Sequence, residues 1–319
     1  MAKDVLVVTG AAGFIGSSLC DRLLRDGHRV LGIDEFTDYY DPALKRRNLR
    51  YALGQPRFQL VEADLTRTDL QALLADAACC FHLAAQAGVR ASWGQDFDIY
   101  IRCNIEATQK LLEAARTVQL PRLVYSSSSS VYGNARQLPM SEEAKPSPVS
   151  PYGVTKLSSE QLCDLYFFNY RLSSVSLRYF TVYGPRQRPD MAFHRFIRAG
   201  IEGRPIEIYG DGEQTRDFTY IDDAVEANVA AWRYAKPHGV FNVGGGATVT
   251  LRHVIALIEA ALGKKLEARF LPKALGDVDH THADTRRAAA ELGFRARTPT
   301  ETGIPREVAW AQELYEGRG

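Results

Sequence analysis

Eight residues near the start, Thr9-Gly10-Ala11-Ala12-Gly13-Phe14-Ile15-Gly16, limit what this chain can fold into more than any other stretch. They follow the apolar run Val5 to Val8, short enough for a buried strand, and precede Phe14 to Arg25, where apolar residues recur at helical spacing. Strand, glycine turn, helix is an order suited to binding phosphate. The glycines let the backbone turn tightly and approach a pyrophosphate with no Cβ in the way, while the helix N-terminus offers free N–H groups to the anion. The spacing is Gly-x-x-Gly-x-x-Gly, so the common dinucleotide fingerprint applies in its mechanism and not in its register. A second strand, Arg29 to Ile33, runs into Asp34, close to the ~20-residue separation at which an acid meets the adenosine ribose hydroxyls. A carboxylate there repels a 2′-phosphate, which favours NAD over NADP.

From Val5 to about Ser127, strand-like runs at Arg29 to Ile33, Phe58 to Val61, Cys79 to Leu83 and Leu123 to Ser126 alternate with amphipathic helices. That alternation predicts an α/β fold, a Rossmann-type doubly wound parallel sheet whose ligands sit at the carboxyl ends of the strands. Asp64 and Leu65 follow the third strand and suit an adenine amino group and ring, although Asp64 is equally suited to capping a helix over Arg67 to Leu74. Leu83, Ala84 and Ala85 follow the fourth strand and are small enough for a cofactor to lie against them.

Beyond Tyr179 the pattern loosens into Gly-, Pro- and Arg-rich loops. They surround short strands at Ile206 to Tyr209 and Phe241 to Val243 and helices at Asp222 to Tyr234 and Leu251 to Leu262. With 319 residues, two lobes are expected: an NAD-binding domain over 1–180, with 217–245 returning to it, and a smaller α/β substrate-binding lobe over 181–319. The loops 183–190 and 210–216 suit a substrate lid. Helices at about 97–118 and 152–170 carry surplus apolar residues, Ile101, Ile105, Leu165, Phe167 and Phe168 among them, and predict a homodimer.

The charge is balanced at 39 basic against 38 acidic residues, which favours neither a nucleic-acid surface nor a polybasic membrane face. No apolar run approaches a membrane span and no signal peptide is read, so a cytoplasmic protein is expected. The five cysteines lack Cys-x-x-Cys spacing, and His280 with His282 lack a third ligand, so no metal is expected.

Tyr152 and Lys156 lie four residues apart at the start of a helix and therefore share a face. An adjacent ammonium favours the phenolate of a tyrosine, bringing a poor base within range of neutral pH. Ser128, at a strand end beside the cofactor, can hydrogen-bond a substrate hydroxyl. A Ser, Tyr, Lys set of this kind moves a proton while NAD takes a hydride.

The glycine turn, Asp34, Ser128, Tyr152 with Lys156, and the run Ser126 to Gly133 ending Val131-Tyr132-Gly133 resemble the extended short-chain dehydrogenase/reductases, in their nucleotide-sugar epimerase branch. The likeness covers nearly the whole chain. It implies that Tyr152 is the base, Lys156 holds the nicotinamide ribose and Ser128 supports the sugar hydroxyl. Tyr179 is expected beside the cofactor, and Ser129 and Thr181 beside the sugar. Arg216 resembles the branch's diphosphate-binding arginine and Asp277 its uridine-ribose contact. Ala274 stands where related galactose epimerases commonly have an arginine, leaving Lys273 nearby, and Glu35 stands where an asparagine is usual.

Longer stretches resemble the UDP-glucuronate 4-epimerase subgroup: Asp38 to Pro42 with Leu44-Lys45-Arg46, then His82 to Arg90, then Phe180 to Met191. They imply a UDP-sugar bearing a carboxylate at C5. Arg90, Arg186 and Arg188 offer forked donors for carboxylate or phosphate, with Arg188 and Arg90 expected to keep the carboxylate of a 4-keto intermediate from being lost as carbon dioxide. The alternatives are a UDP-glucose 4-epimerase, which differs in substrate only at C6, and a UDP-glucuronate decarboxylase. Decarboxylases and 4,6-dehydratases of the branch carry an acid immediately before Val-Tyr-Gly, where this chain has Ser130.

Overall fold

The computed structural model describes residues 3–134, 137–272, 276, 278 and 280–317. Six strands of the first half, β1 (Val5–Thr9), β2 (Arg29–Asp34), β3 (Phe58–Glu62), β4 (Ala77–His82), β5 (Leu123–Ser128) and β6 (Ser174–Tyr179), form one sheet with the later strand His238–Val243 at its edge. All neighbours pair in parallel, and the spatial order is β3-β2-β1-β4-β5-β6 and then the edge strand. The chain winds outward from β1 to β3, returns at β4 and winds the other way. The crevice between β1 and β4 is therefore where such a sheet receives a ligand.

Helix α1 (Phe14–Arg25) begins where the sequence places it, and no side chain caps its first turn. Its free N–H groups remain available to an anion. The helix packs close because Gly16 has no side chain: a Cβ there would lie 2.1 Å from the Gly10 carbonyl oxygen. The helix expected over 97–118 is one continuous run interrupted by a π-helical turn at Ile101–Glu106, which shifts the side chains around Arg102 and Cys103 relative to a regular helix. Asp64 caps no helix: it accepts from the Thr66 N–H at 2.8 Å, and the N-cap of the short helix Leu70–Leu74 is Asp69.

Past β6 the short parallel pair Ile206–Tyr209 with Ala268–Leu271 and the antiparallel pair Thr215–Asp217 with Thr248–Thr250 build the smaller unit, flanked by helices Ala192–Ile201, Leu251–Leu262 and Thr300–Tyr315. The apolar cluster on one sheet face, with Leu6, Val8, Leu19 and Val175, continues into this region through Phe193, Ile208, Val254 and Ile304. No helix among the described residues is long and apolar enough to cross a membrane.

The helix Pro151–Tyr170 is capped by the Ser150 hydroxyl, which accepts from the Gly153 N–H. Its rotation is set by a buried carboxylate. Glu160 accepts from Arg178 of β6 at 2.6 Å and from Ser127 of β5 at 2.6 Å, while Arg178 also donates to the Tyr132 hydroxyl at 2.8 Å. Replacing Arg178 by Met leaves this carboxylate buried and unpaired. Chemical denaturation should then register a loss of about 3–5 kcal/mol; a loss below about 1 kcal/mol would show that water reaches Glu160.

Candidate functional site

At the carboxyl ends of β1 to β5 lies a cleft walled by Gly10, Gly13, Phe14, Ile15 and Gly16, by Asp34, Asp64 and Leu65, by Leu83 to Ala85, and by Tyr152, Lys156 and Tyr179. The backbone around Gly10 turns through positive φ, +69°, a conformation that favours glycine. The Asp34 carboxylate is held by the N–H groups of Ala12 and Phe36, both at 2.9 Å, and so faces the turn with its remaining lone pairs. Asp64 is bound by Thr66 and by Arg102 Nη1 at 2.7 Å; against the cost of burial, these contacts hold its carboxyl below the usual range. Bare helix N–H groups, a side-chain-free turn and an acid at the end of β2 form a cradle that fits a dinucleotide.

At the other end of the cleft, Tyr152 and Lys156 project from the same face of the helix that Glu160 anchors. Burial raises the Tyr152 phenol above its ordinary value, while Arg188 and a hydrogen bond with the Ser128 side chain pull it down. Arg188 is thus a cation acting on the phenol that the sequence did not point to. The Lys156 ammonium lies over the Tyr125 ring, 4.6 Å from its centre, and burial lowers its pKa to about 7 although Glu160 opposes the shift. Arg188 is itself fastened: its Nε and Nη2 donate to the two oxygens of Asp190, each at 2.9 Å, and Tyr39 donates to the same carboxylate at 3.3 Å.

A second, more polar cleft is lined by Val89, Ser129, Ser130, Thr181, Arg216 and Thr281. Ser128, the last residue of β5, lies between Ser126 and Ser127 of the first cleft and Ser129 and Ser130 of the second, and its hydroxyl accepts from the Ser130 N–H at 3.1 Å. Arg216 donates to the carbonyls of Thr215 and Val278, which turns it toward the segment around Gly276.

Two arginines differ from expectation. Arg186 donates to the buried Asp21 of α1 at 2.7 Å, an ion pair that holds the loop against the dinucleotide helix and keeps this guanidinium from either cleft. Arg90 stacks on Tyr209, 4.0 Å from the ring centre, and lines neither cleft. Asp277, Ala274 and Lys273 lie outside the described residues. Among the described residues no three His, Cys, Asp or Glu side chains gather to hold a metal ion; His280 bonds the Thr215 hydroxyl.

Sequence reasoning missed Arg102, Asp190 and Glu160, and did not assign Tyr39, Tyr40 or Lys45 a role. The last three stand in a stretch already singled out, and they line the first cleft with Arg188. Glu160 extends the four-residue spacing of Tyr152 and Lys156 by one more turn, a signal present in the sequence. Asp190 also stands in a stretch already singled out, Phe180 to Met191, whereas Arg102 carries no such mark.

Residues 6–244 match the model of the NAD dependent epimerase/dehydratase family. The chain is 45% identical to a Bacillus subtilis protein described as an uncharacterized UDP-glucose epimerase, over 98% of this chain and 99% of that one. It is 39% identical to the UDP-glucuronate 4-epimerase of Thermodesulfobacterium geofontis, over 97% of each. It also superposes on the crystal structure of UDP-glucuronic acid 4-epimerase from Bacillus cereus in complex with UDP-glucuronic acid and NAD. The TM-score is 0.95 at 44% identity, covering 98% of this chain and 100% of the other.

The depressed Lys156 carries a stability signature. From about pH 7 up to the ordinary lysine range, the folded cofactor-free protein binds fewer protons than the unfolded chain, so its stability rises with pH across that window. Compared by urea denaturation with Lys156→Met at pH 7, 8 and 9, the wild-type chain should gain about 1 kcal/mol per pH unit on the variant. A difference that stays constant would place the ammonium in contact with water.

Proposed function

The chain belongs to the NAD dependent epimerase/dehydratase family, and from that premise we propose that it interconverts UDP-glucuronate and UDP-galacturonate by inverting C4 through a transient 4-keto sugar. The observation that carries the reading is that Tyr152 and Lys156 wall the same cleft as the glycine turn and Asp34. NAD, when bound, supplies reversible removal of the C4 hydrogen with its electrons. Gly10 to Gly16 take its pyrophosphate, Asp34 its adenosine ribose, and Lys156 its nicotinamide ribose. Tyr152 accepts the 4-hydroxyl proton and returns it after the keto sugar has turned over, so product differs from substrate only at C4. Ser128, which acts on the Tyr152 phenol, offers its hydroxyl to the sugar.

In this reading the second cleft takes the nucleotide diphosphate, with Arg216 on phosphate and Ser129 and Thr181 beside the sugar. Arg188 faces the sugar's acid and keeps its carboxylate bond out of line with the C4 carbonyl, which opposes loss of carbon dioxide. UDP-glucose is the competing substrate, favoured by the description of the Bacillus subtilis relative. We assign 1–180 with 217–245 to the NAD-binding domain and the remainder of 181–319 to the sugar-binding lobe. Five free cysteines suit a reducing compartment, the cytoplasm.

Exposed Ile99, Ile101, Val154, Leu165 and Phe168 form an apolar face on the two helices at 97–106 and 151–170 and support a homodimer. Phe167, expected on that face, stacks on His238 instead, with ring centres 4.5 Å apart.

Incubation with UDP-glucuronate, resolved by chromatography, should yield UDP-galacturonate without carbon dioxide release, and Tyr152→Phe should slow turnover about 10²–10⁴-fold. Arg188→Ala should lower kcat/KM for UDP-glucuronate more than for UDP-glucose; equal losses would show that Arg188 serves only what the two substrates share, the Tyr152 base or the diphosphate. Introducing Phe168→Glu should convert a dimer to a monomer in analytical ultracentrifugation, and an unchanged sedimentation coefficient would move the interface elsewhere.

A further inference from the structure

The adenosine end of the first cleft holds an ion-pair arrangement that the reaction does not use. Three carboxylates line the wall there, Asp34 and Glu35 at the end of β2 and Asp64 after β3. Behind two of them stands Arg102, whose Nη1 donates to Glu35 Oε1 at 3.2 Å and to Asp64 Oδ2 at 2.7 Å. It reaches them from the π-helical turn Ile101–Glu106, whose next residue, Cys103, lines the cleft. Glu35 and Arg102 are each about one-third exposed, so the pair sits at the rim.

A guanidinium beside the adenosine ribose is the group that accommodates a 2′-phosphate, and a carboxylate is the group that excludes one. Here both are present, the Glu35 carboxylate one residue beyond Asp34 and the Arg102 guanidinium from the π-helical turn, and they pair with each other. We propose that Glu35 is a specificity-determining positioning residue: by holding Arg102 it denies a 2′-phosphate its cation, so selection of the unphosphorylated dinucleotide depends on the Glu35–Arg102 pair as well as on Asp34. Arg102 meets both acids through Nη1, so loss of the Glu35 charge removes one of its two carboxylate partners while Asp64 keeps the side chain in place.

The inference rests on the reading that the cleft binds NAD, and the test separates the two. The full-length protein is equilibrated with equimolar NAD and NADP and freed of unbound nucleotide by gel filtration; the retained dinucleotides are then released and quantified. Wild type should retain NAD almost alone. Glu35→Gln should raise the retained NADP-to-NAD ratio about fivefold, the scale of one charged contact at a site one-third exposed. Adding Arg102→Gln to that variant should return the ratio to within about twofold of wild type. A wild-type protein that retains neither nucleotide overturns the NAD reading itself. Retention of NAD with the same ratio in Glu35→Gln overturns the inference alone, and so does a rise that persists when Arg102 is also replaced.

Discussion

A buried ion pair decides which way one helix faces. Glu160 is held by Arg178 and Ser127, from two adjacent strands, and one and two helical turns back along the same stripe stand Lys156 and Tyr152. A helix is free to rotate against an apolar surface until a directional contact stops it. The paired carboxylate cannot be left unmet in a dry interior, so rotation away from the cleft would cost several kcal/mol. The aim of the two reactive side chains follows from this contact more than from the apolar residues around it.

With the helix fixed, the chemistry becomes a contest between burial and charge. Burial alone would make Tyr152 a worse base than a free phenol, and it also draws down the charge of Lys156. Arg188 opposes the first effect, and it remains beside the cleft because Asp190 and Tyr39 hold it there. Tyr39 comes from the segment after β2 and Asp190 from the segment after β6, so the charge acting on the base depends on contact between two distant parts of the chain. The five serines from Ser126 to Ser130 gain a similar explanation: small hydroxyl residues at the end of β5 serve two clefts at once, with Ser128 at their junction.

Much of this organisation was legible in the sequence because its determinants are local. The glycine turn, α1, the succession of strands and helices and the Tyr152–Lys156 spacing depend on residues within a few turns of one another, and β1 to β5 fall within two residues of their expected bounds, whereas β6 had no expected counterpart. What was not legible depends on distance. Arg186 had the same apparent fitness for an anion as Arg188, yet a buried acid on α1 claimed it; Arg90 found a tyrosine face. Forked donors are interchangeable on paper; Arg186 and Arg188 are both ion-paired, and what separates them is that Arg188 lines the first cleft and Arg186 does not. The π-helical turn at Ile101–Glu106 likewise has no period of its own in the sequence, and it is the turn that carries Arg102.

The amino-acid sequence by itself determined the doubly wound sheet, the place of the dinucleotide cradle and the pairing of phenol with ammonium, since backbone freedom at glycine and helical periodicity are properties of neighbouring residues. Tertiary structure alone decided which cation acts on Tyr152, which acid holds each arginine and how the reactive helix is turned. Those outcomes come from through-space electrostatics among buried groups: the partners in the Glu160–Arg178 and Asp21–Arg186 pairs lie 18 and 165 residues apart along the chain.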